Sequence, residues 1–314
     1  MSGKPTIGTE TAPEGDALRR FVLRDASVRG EIVQLGAAWR EIVRRHALPP
    51  SVRDHLGELS AAGLLLAATI KFEGALVLQI HGDGPVSLFV VEVDTDGHFR
   101  STVKVREGAE PPADATLRAL VDVHGRGRFV VTLDPRDRTG APYQGIVPFE
   151  GEGVAGALER YMDRSEQVPT RLWLAADGER AAGLLLQRLP DEGGSAGPRD
   201  ADGWDRAQQL ADTITPQELL ELAPEALLHR LFWQERRDDL DERRWRFLCS
   251  CSRDKVAGML RTLGRDEIES ILAERGAIEV SCDYCNAPYR FDALDAALLF
   301  ADDGTVLPGS PSIN

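Results

Sequence analysis

The sequence is short of cysteine and keeps what it has in one region: four in 314 residues, none before position 249. Paired cysteines in an intracellular chain point to metal binding or redox chemistry rather than permanent disulfides. Histidine is no better placed for chemistry. The six (His46, His55, His81, His98, His124, His229) show no H-E-x-x-H or other ligand spacing, so each reads as a packing or surface residue. Neither a phosphate-binding loop nor a dinucleotide fingerprint is present, and the chain offers almost nothing as an enzyme. Long apolar runs are missing too. The longest, Ala61 to Ile70, is too short to cross a bilayer and reads as a buried helix. The start, MSGKPTIGTETAPEGD, lacks the apolar stretch of a signal peptide, which leads to the expectation of a soluble, cytoplasmic protein. Positive charge is in deficit, 37 Lys and Arg against 51 Asp and Glu. A net charge of −14 argues against a general binder of nucleic acid or acidic membrane.

What is present is two tight cysteine pairs, Cys249-Ser-Cys251 and Cys282-Asp-Tyr-Cys285, with thirty residues between them. Each pair can supply two thiolates from one turn of backbone, which is what a tetrahedral soft-metal site needs. Four thiolates suit zinc or an iron–sulfur centre and lack the oxygens that hard cations want; zinc is the expected ion, one per chain. Four sulfur ligands leave no open position for a substrate, so the site is a structural staple or a sensor rather than a catalyst.

The chain alternates element types before it reaches those cysteines. Residues 1–17 read as a disordered lead-in. FVLRDASVRGEIVQL reads as a strand, and Ala37 to His46 as a helix with Trp39, Ile42, Val43 and His46 on one face. Pro49-Pro50 ends it, and Ser51 opens a longer helix to about Thr69. ALVLQI and SLFVVEV read as strands joined by the HGDGP turn. Further strands are expected at 128–133, 143–147, 172–175 and 183–189, with a helix over 154–162. Mixed, non-repeating order predicts an α+β domain over residues 18–189. The stretch Pro190 to Pro198 is a flexible linker by composition; its Gly-Gly-Ser-Ala-Gly matches a hydrolase pattern but has no strand before it or helix after it, so the match is chance.

Residues 190–245 then read as this flexible segment followed by amphipathic helices. Trp204, Ala207, Ala211 and Ile214 recur at helical spacing, and Thr215-Pro-Gln-Glu218 is a capping box with proline at the first helical position. Leu227, Leu228, Leu231 and Phe232 form an apolar stripe. Helices this short are not stable alone and must pack on something, the large domain being the nearest candidate. Residues 246–300 form the cysteine module and 301–314 a tail. Inside the module, Ser252 is expected to cap a helix to Leu263, and Asp266 a second helix that stops at Gly276; Ile278 and Val280 read as strand. A module of about fifty residues is marginal on burial alone. A structural zinc can contribute about 10–16 kcal/mol of apparent folding free energy, so the metal is expected to hold it together. Seven basic side chains between Arg243 and Arg265, against the single acid Asp254, are expected to favour thiolate over thiol.

Together these segments resemble the redox-regulated chaperones of the heat-shock protein 33 family, over about Leu18 to Phe300. The resemblance is carried by Val28-Arg-Gly-Glu31, Lys71-Phe-Glu-Gly74, Gly82-Asp-Gly-Pro85, Tyr143-Gln-Gly145, the run from Ser165 to Trp173, Ala182 to Gln187, and the two cysteine pairs. It implies an ATP-independent holdase, inactive when Cys249, Cys251, Cys282 and Cys285 bind zinc. On oxidation it implies Cys249–Cys251 and Cys282–Cys285 disulfides, loss of zinc, unfolding of the module, loosening of the helical linker, capture of unfolding clients and dimerisation. One segment departs from the family pattern: after Phe232 the family usually carries histidine and a run of acids, where this chain has Trp233-Gln-Glu-Arg-Arg237 and then Asp238 to Arg244. Two rival readings stand beside this one. A zinc-stapled RNA- or ribosome-associated protein would show salt-sensitive RNA binding through the 243–265 arginines. A thiol oxidoreductase would turn over dithiol substrates through Cys282 and Cys285.

Overall fold

A computed structural model of the protein describes residues 15–70, 73–136, 142–190, 200 and 202–300. The chain divides into two compact units, Met1–Leu248 and Cys249–Asn314. Residues 1–14 of the expected lead-in, Lys71 and Phe72, the Gly-Ser-rich segment 191–199 and the tail lie outside the described residues. Asp16, placed in the lead-in by the sequence, belongs to the fold: its carboxylate accepts hydrogen bonds from the Gly36 and Ala38 N–H groups at 2.7 and 3.0 Å.

The run expected as one strand from Phe21 to Leu35 is a hairpin. β1 (Ala17–Leu23) and β2 (Val28–Leu35) pair antiparallel with Leu23 opposite Val28. Ser27 adopts φ of 51° and donates its N–H to Arg24 O, so the polar Arg-Asp-Ala-Ser stretch is the turn between two apolar arms. With β8 (Thr170–Ala176), β9 (Ala181–Arg188) and β10 (Arg237–Arg244) they make a five-stranded sheet in the order β10-β1-β2-β9-β8. A six-stranded sheet has the order β11-β5-β4-β3-β6-β7, built from β3 (Gly74–His81), β4 (Val86–Asp94), β5 (His98–Val105), β6 (Arg128–Pro135), β7 (Tyr143–Pro148) and β11 (Arg246–Phe247). Leu76, Leu78 and Ile80 are buried on one face of β3, as the alternation predicts.

Helix α1 (Ala37–Arg45) buries Trp39 and Ile42. It is followed by α2 (Pro50–Thr69), apolar on nearly every side because it shares one core with both sheets. Leu56, Leu59 and Leu65 share that core with Val33 and Leu185 of the first sheet, and with Leu78 and Val91 of the second. Short α3 (Leu117–Val121) and α4 (Val154–Tyr161) complete that core. The α+β class therefore holds.

The other face of the five-stranded sheet carries the linker helices, α5 (Gly203–Ala211), α6 (Pro216–Glu221) and α7 (Pro224–Phe232). Phe21, Leu23, Ile32, Leu184 and Leu186 form a second core with Leu219, Leu227, Leu228, Leu231 and Phe232. The capping box forms as predicted, with Glu218 N–H donating to Thr215 Oγ1 at 3.2 Å. The Gln34 amide donates to Leu219 O and Leu222 O, tying α6 to β2. Each apolar side chain buried here contributes about 1.5–3 kcal/mol, so packing rather than propensity keeps helices of this length folded. Residues 237–244, assigned to the same helical linker by the sequence, are instead strand β10 on the sheet edge. The reason is chemical: their acids pair with Arg19, Arg20 and Arg24, and the β1 edge offers an extended chain a ladder of backbone partners.

The second unit holds α8 (Arg253–Leu263), α9 (Arg265–Arg275), the hairpin β12 (Ile278–Ser281) and β13 (Pro288–Phe291), and α10 (Ala293–Leu299). Ser252 caps α8 and Gly276 ends α9 at φ +75°, both as expected. Asp266 does not cap α9; it lies in the first turn after Gly264, where a carboxylate still favours the helix N-terminus. The unit's core is small, built on Leu260, Ile268, Ile278, Phe291 and Leu299. Among the described residues, no helix is long and apolar enough to cross a membrane.

Candidate metal centre

Two loops of the small unit bring the cysteines together. Cys249 and Cys251 lie on the extended segment that leads into α8, alternate residues of which point the same way. Its geometry is pinned by Ser252 Oγ accepting from Lys255 N–H at 3.2 Å and by Lys255 Nζ donating to Ser250 O at 2.7 Å. Cys282 and Cys285 sit in the loop that closes β12 onto β13, where Ser281 pairs with Pro288. Cys282 N–H donates to Ala287 O at 3.0 Å and Asn286 N–H to Cys282 O at 2.8 Å. Asn286 takes the left-handed conformation, φ 58°, that so tight a knuckle requires. The α8–α9 hairpin and strand β12 fill the thirty intervening residues and return the chain to its start.

The four Sγ atoms all lie within 4.8 Å of one another. Cys249 and Cys282 are 3.6 Å apart, Cys251 and Cys285 3.3 Å. At a zinc–sulfur bond of about 2.3 Å, tetrahedral sulfurs stand about 3.8 Å apart, so the cluster is the right size for a soft ion. Among the described residues it is the only group of three or more His, Cys, Asp and Glu placed for a metal. No imidazole or carboxylate belongs to it. Cys285 is buried and the other three are partly exposed, so an oxidant in solution can reach the site.

The sulfurs are not equivalent. The Tyr289 hydroxyl donates to Cys251 Sγ at 3.1 Å and holds that thiol down at about 7. Burial pushes the Cys285 thiol up to about 12 and raises Cys249 as well. A divalent cation removes the mutual repulsion that keeps some of these groups protonated, which is why such sites bind metal with loss of protons. The arginines expected to activate the thiols are engaged elsewhere. Arg253 pairs with Asp295 at 2.7 Å and stacks on Phe291, Arg261 donates to Leu299 O, and Arg243 stacks over Trp245. The largest influences on the thiols are burial, Tyr289, backbone amides and the neighbouring cysteines. Tyr289 is the functional residue that the sequence reading missed. Its signal is the alternation of Pro-Tyr-Arg-Phe in β13, which turns Tyr289 and Phe291 to the inner side.

A two-sheet α+β domain strapped by short amphipathic helices, joined to a small unit with a four-sulfur centre, defines the class. A family model described as Hsp33 protein matches residues 16–292. The 33 kDa chaperonin of Methylobacillus flagellatus is 46% identical over 296 residues, covering 94% of this chain and 97% of its own. That of Chromobacterium violaceum is 44% identical over 288 residues, covering 92% and 95%. The crystal structure of the 33 kDa chaperonin (heat shock protein 33 homolog) from Thermotoga maritima superposes with a TM-score of 0.75 at 22% identity, over 91% of this chain and 97% of that one, and so shares the fold. The chain belongs to the Hsp33 family. It is a chaperone and not an enzyme.

Proposed function

We propose that this chaperone is a redox-gated, ATP-independent holdase. The observation that carries the reading is the cluster of four sulfurs within 4.8 Å, on two loops of a unit whose own core is small. In the resting state Cys249, Cys251, Cys282 and Cys285 hold one Zn²⁺, which supplies the cross-link between the two loops that the core alone does not. Peroxide takes two electrons from each cysteine pair. Two thiolates become one disulfide, and the peroxide with two protons becomes two waters. The pairs are Cys249–Cys251 and Cys282–Cys285, the assignment implied by the family resemblance; every sulfur is within reach of its partner. Disulfide formation removes the thiolate ligands, and the small unit loses its hold on the ion and its fold.

The chain's response lies in the linker helices. When α5–α7 leave the five-stranded sheet, Phe21, Leu23, Ile32, Leu184 and Leu186 become accessible, together with the stripe on α7. Apolar surface exposed in this way binds partly unfolded proteins, and a second activated copy, through the same chemistry. The activated form is accordingly a dimer that holds clients in the cytoplasm. Light scattering of a thermally unfolding client tests this, with the chain either reduced and zinc-loaded or peroxide-treated. Suppression of aggregation after oxidation alone is the expected result; equal activity in both states would make the metal a staple only.

A further inference from the structure

The edge of the five-stranded sheet carries an inference that rests on this reading of linker release and extends it to the kind of segment captured. Strand β10 pairs antiparallel with β1 from Ala17 opposite Arg244 to Leu23 opposite Arg237, with one irregularity between Arg19 and Phe21. No side chain of β10 is buried, and Leu240, its only apolar residue, is 56% exposed. The strand is therefore held by its backbone ladder and by charge. Arg19 pairs with Glu242 at 3.1 Å, Arg20 with Asp241 at 2.6 Å, and Arg24 with Asp238. Beneath it β1 is fixed independently: Leu18, Phe21 and Leu23 are fully buried and its other edge is paired along its length with β2. A strand so attached is separable from a sheet edge that would persist without it.

We propose that the β1 edge is a strand-addition site for extended, acidic segments of client polypeptides, occupied at rest by the chain's own β10. An open edge offers unpaired N–H and C=O groups to any extended chain, and charged edge strands cover such edges in folded proteins. Here the cover is acidic where it meets the arginines, so the vacated edge presents Arg19, Arg20 and Arg24 in the register that an acidic strand would match. Exposed ion pairs are individually weak, so they select register and composition while the ladder supplies the attachment.

The test uses the full-length chain and a fluorescent peptide with the sequence of residues 237–244, after zinc release and suppression of client aggregation have been verified on the same sample. Failure of those two controls would count against the redox reading itself. With them satisfied, the peptide is expected to bind the oxidised chain and not the reduced one. A D238K/D241K/E242K peptide is expected to bind about tenfold more weakly. A peptide N-methylated at alternate amides is expected not to bind, since it cannot complete the ladder. An oxidised, client-holding chain that ignores the peptide would overturn the proposal. So would equal binding of the N-methylated peptide, or displacement of the peptide by a single-stranded RNA oligonucleotide, each of which would make the arginines a plain anion patch.

Discussion

Tyr289 and Glu31 show how single side chains set the chemistry of this chain. Because Tyr289 donates to Cys251 Sγ, that thiol ionises at about 7. In Tyr289→Phe the donor is gone and Cys251 should move toward the ordinary thiol value. Its alkylation rate at neutral pH in zinc-stripped protein should fall about tenfold, read by peptide mass spectrometry; an unchanged rate would assign the low value to the other cysteines. Glu31, in the Val-Arg-Gly-Glu segment, is 2% exposed, and its Oε2 has no hydrogen-bond partner among the described residues. Burial raises its carboxyl to about 8, against the opposing pull of Arg29 and Arg20. The unfolded chain releases this proton at its ordinary lower value, so the contribution of Glu31 to stability falls as pH rises from about 4.5 to about 8 and is constant outside that window. Glu31→Gln should flatten that slope and stabilise the protein by on the order of 1–3 kcal/mol above pH 8, measured by chemical denaturation. A steeper slope in the variant would show an ionised Glu31 instead. The four clustered cysteines could be named from spacing, because cysteine pairs are short-range sequence features. Tyr289 and Glu31 could not be assigned roles, because hydrogen bonding and burial depend on neighbours distant in sequence.

At the scale of elements, the face between β1, β2 and α7 is where a small change should have the largest effect. A Cβ at Gly30 would stand 2.1 Å from the Phe21 ring, which packs in turn on Phe232 of α7 at 5.9 Å between centroids. Gly30→Ala should therefore push Phe21 outward, lower stability by about 1–3 kcal/mol and make the linker easier to release. The expected readout is faster proteolysis within 203–232 in the reduced state, and unchanged cleavage would show that the ring can shift without disturbing α7. Elements with strong local signals were legible: β3 by alternation, α6 by its capping box, α8 by Ser252. The β1–β2 turn and β10 were not, since a hairpin of two apolar arms and a polar edge strand are distinguished from their alternatives by pairing partners rather than by periodicity.

For the whole molecule, the two compact units make separable predictions. On the proposed four-thiolate site, Cys282→Ser removes one of four sulfurs and should leave zinc weakly held, with the Cys249–Asn314 unit losing cooperative unfolding while the first unit keeps its own; tight, stoichiometric zinc by chelator titration would contradict that site. Truncation after Leu189 should expose the sheet face under α5–α7 and give constitutive suppression of aggregation. It also removes β10 and Trp245, which is 2% exposed in the main core, so the truncated chain should melt at lower temperature than the full one. A truncated form without holding activity would place the client surface elsewhere. The sequence by itself determined the α+β class, the amphipathic linker, the thiolate pairs and the family resemblance, because these rest on local spacing, composition and short motifs. Only the tertiary structure decided that the four sulfurs meet, that Tyr289 reaches one of them, and that residues 237–244 complete a sheet, because each depends on bringing together chain segments that lie far apart in sequence.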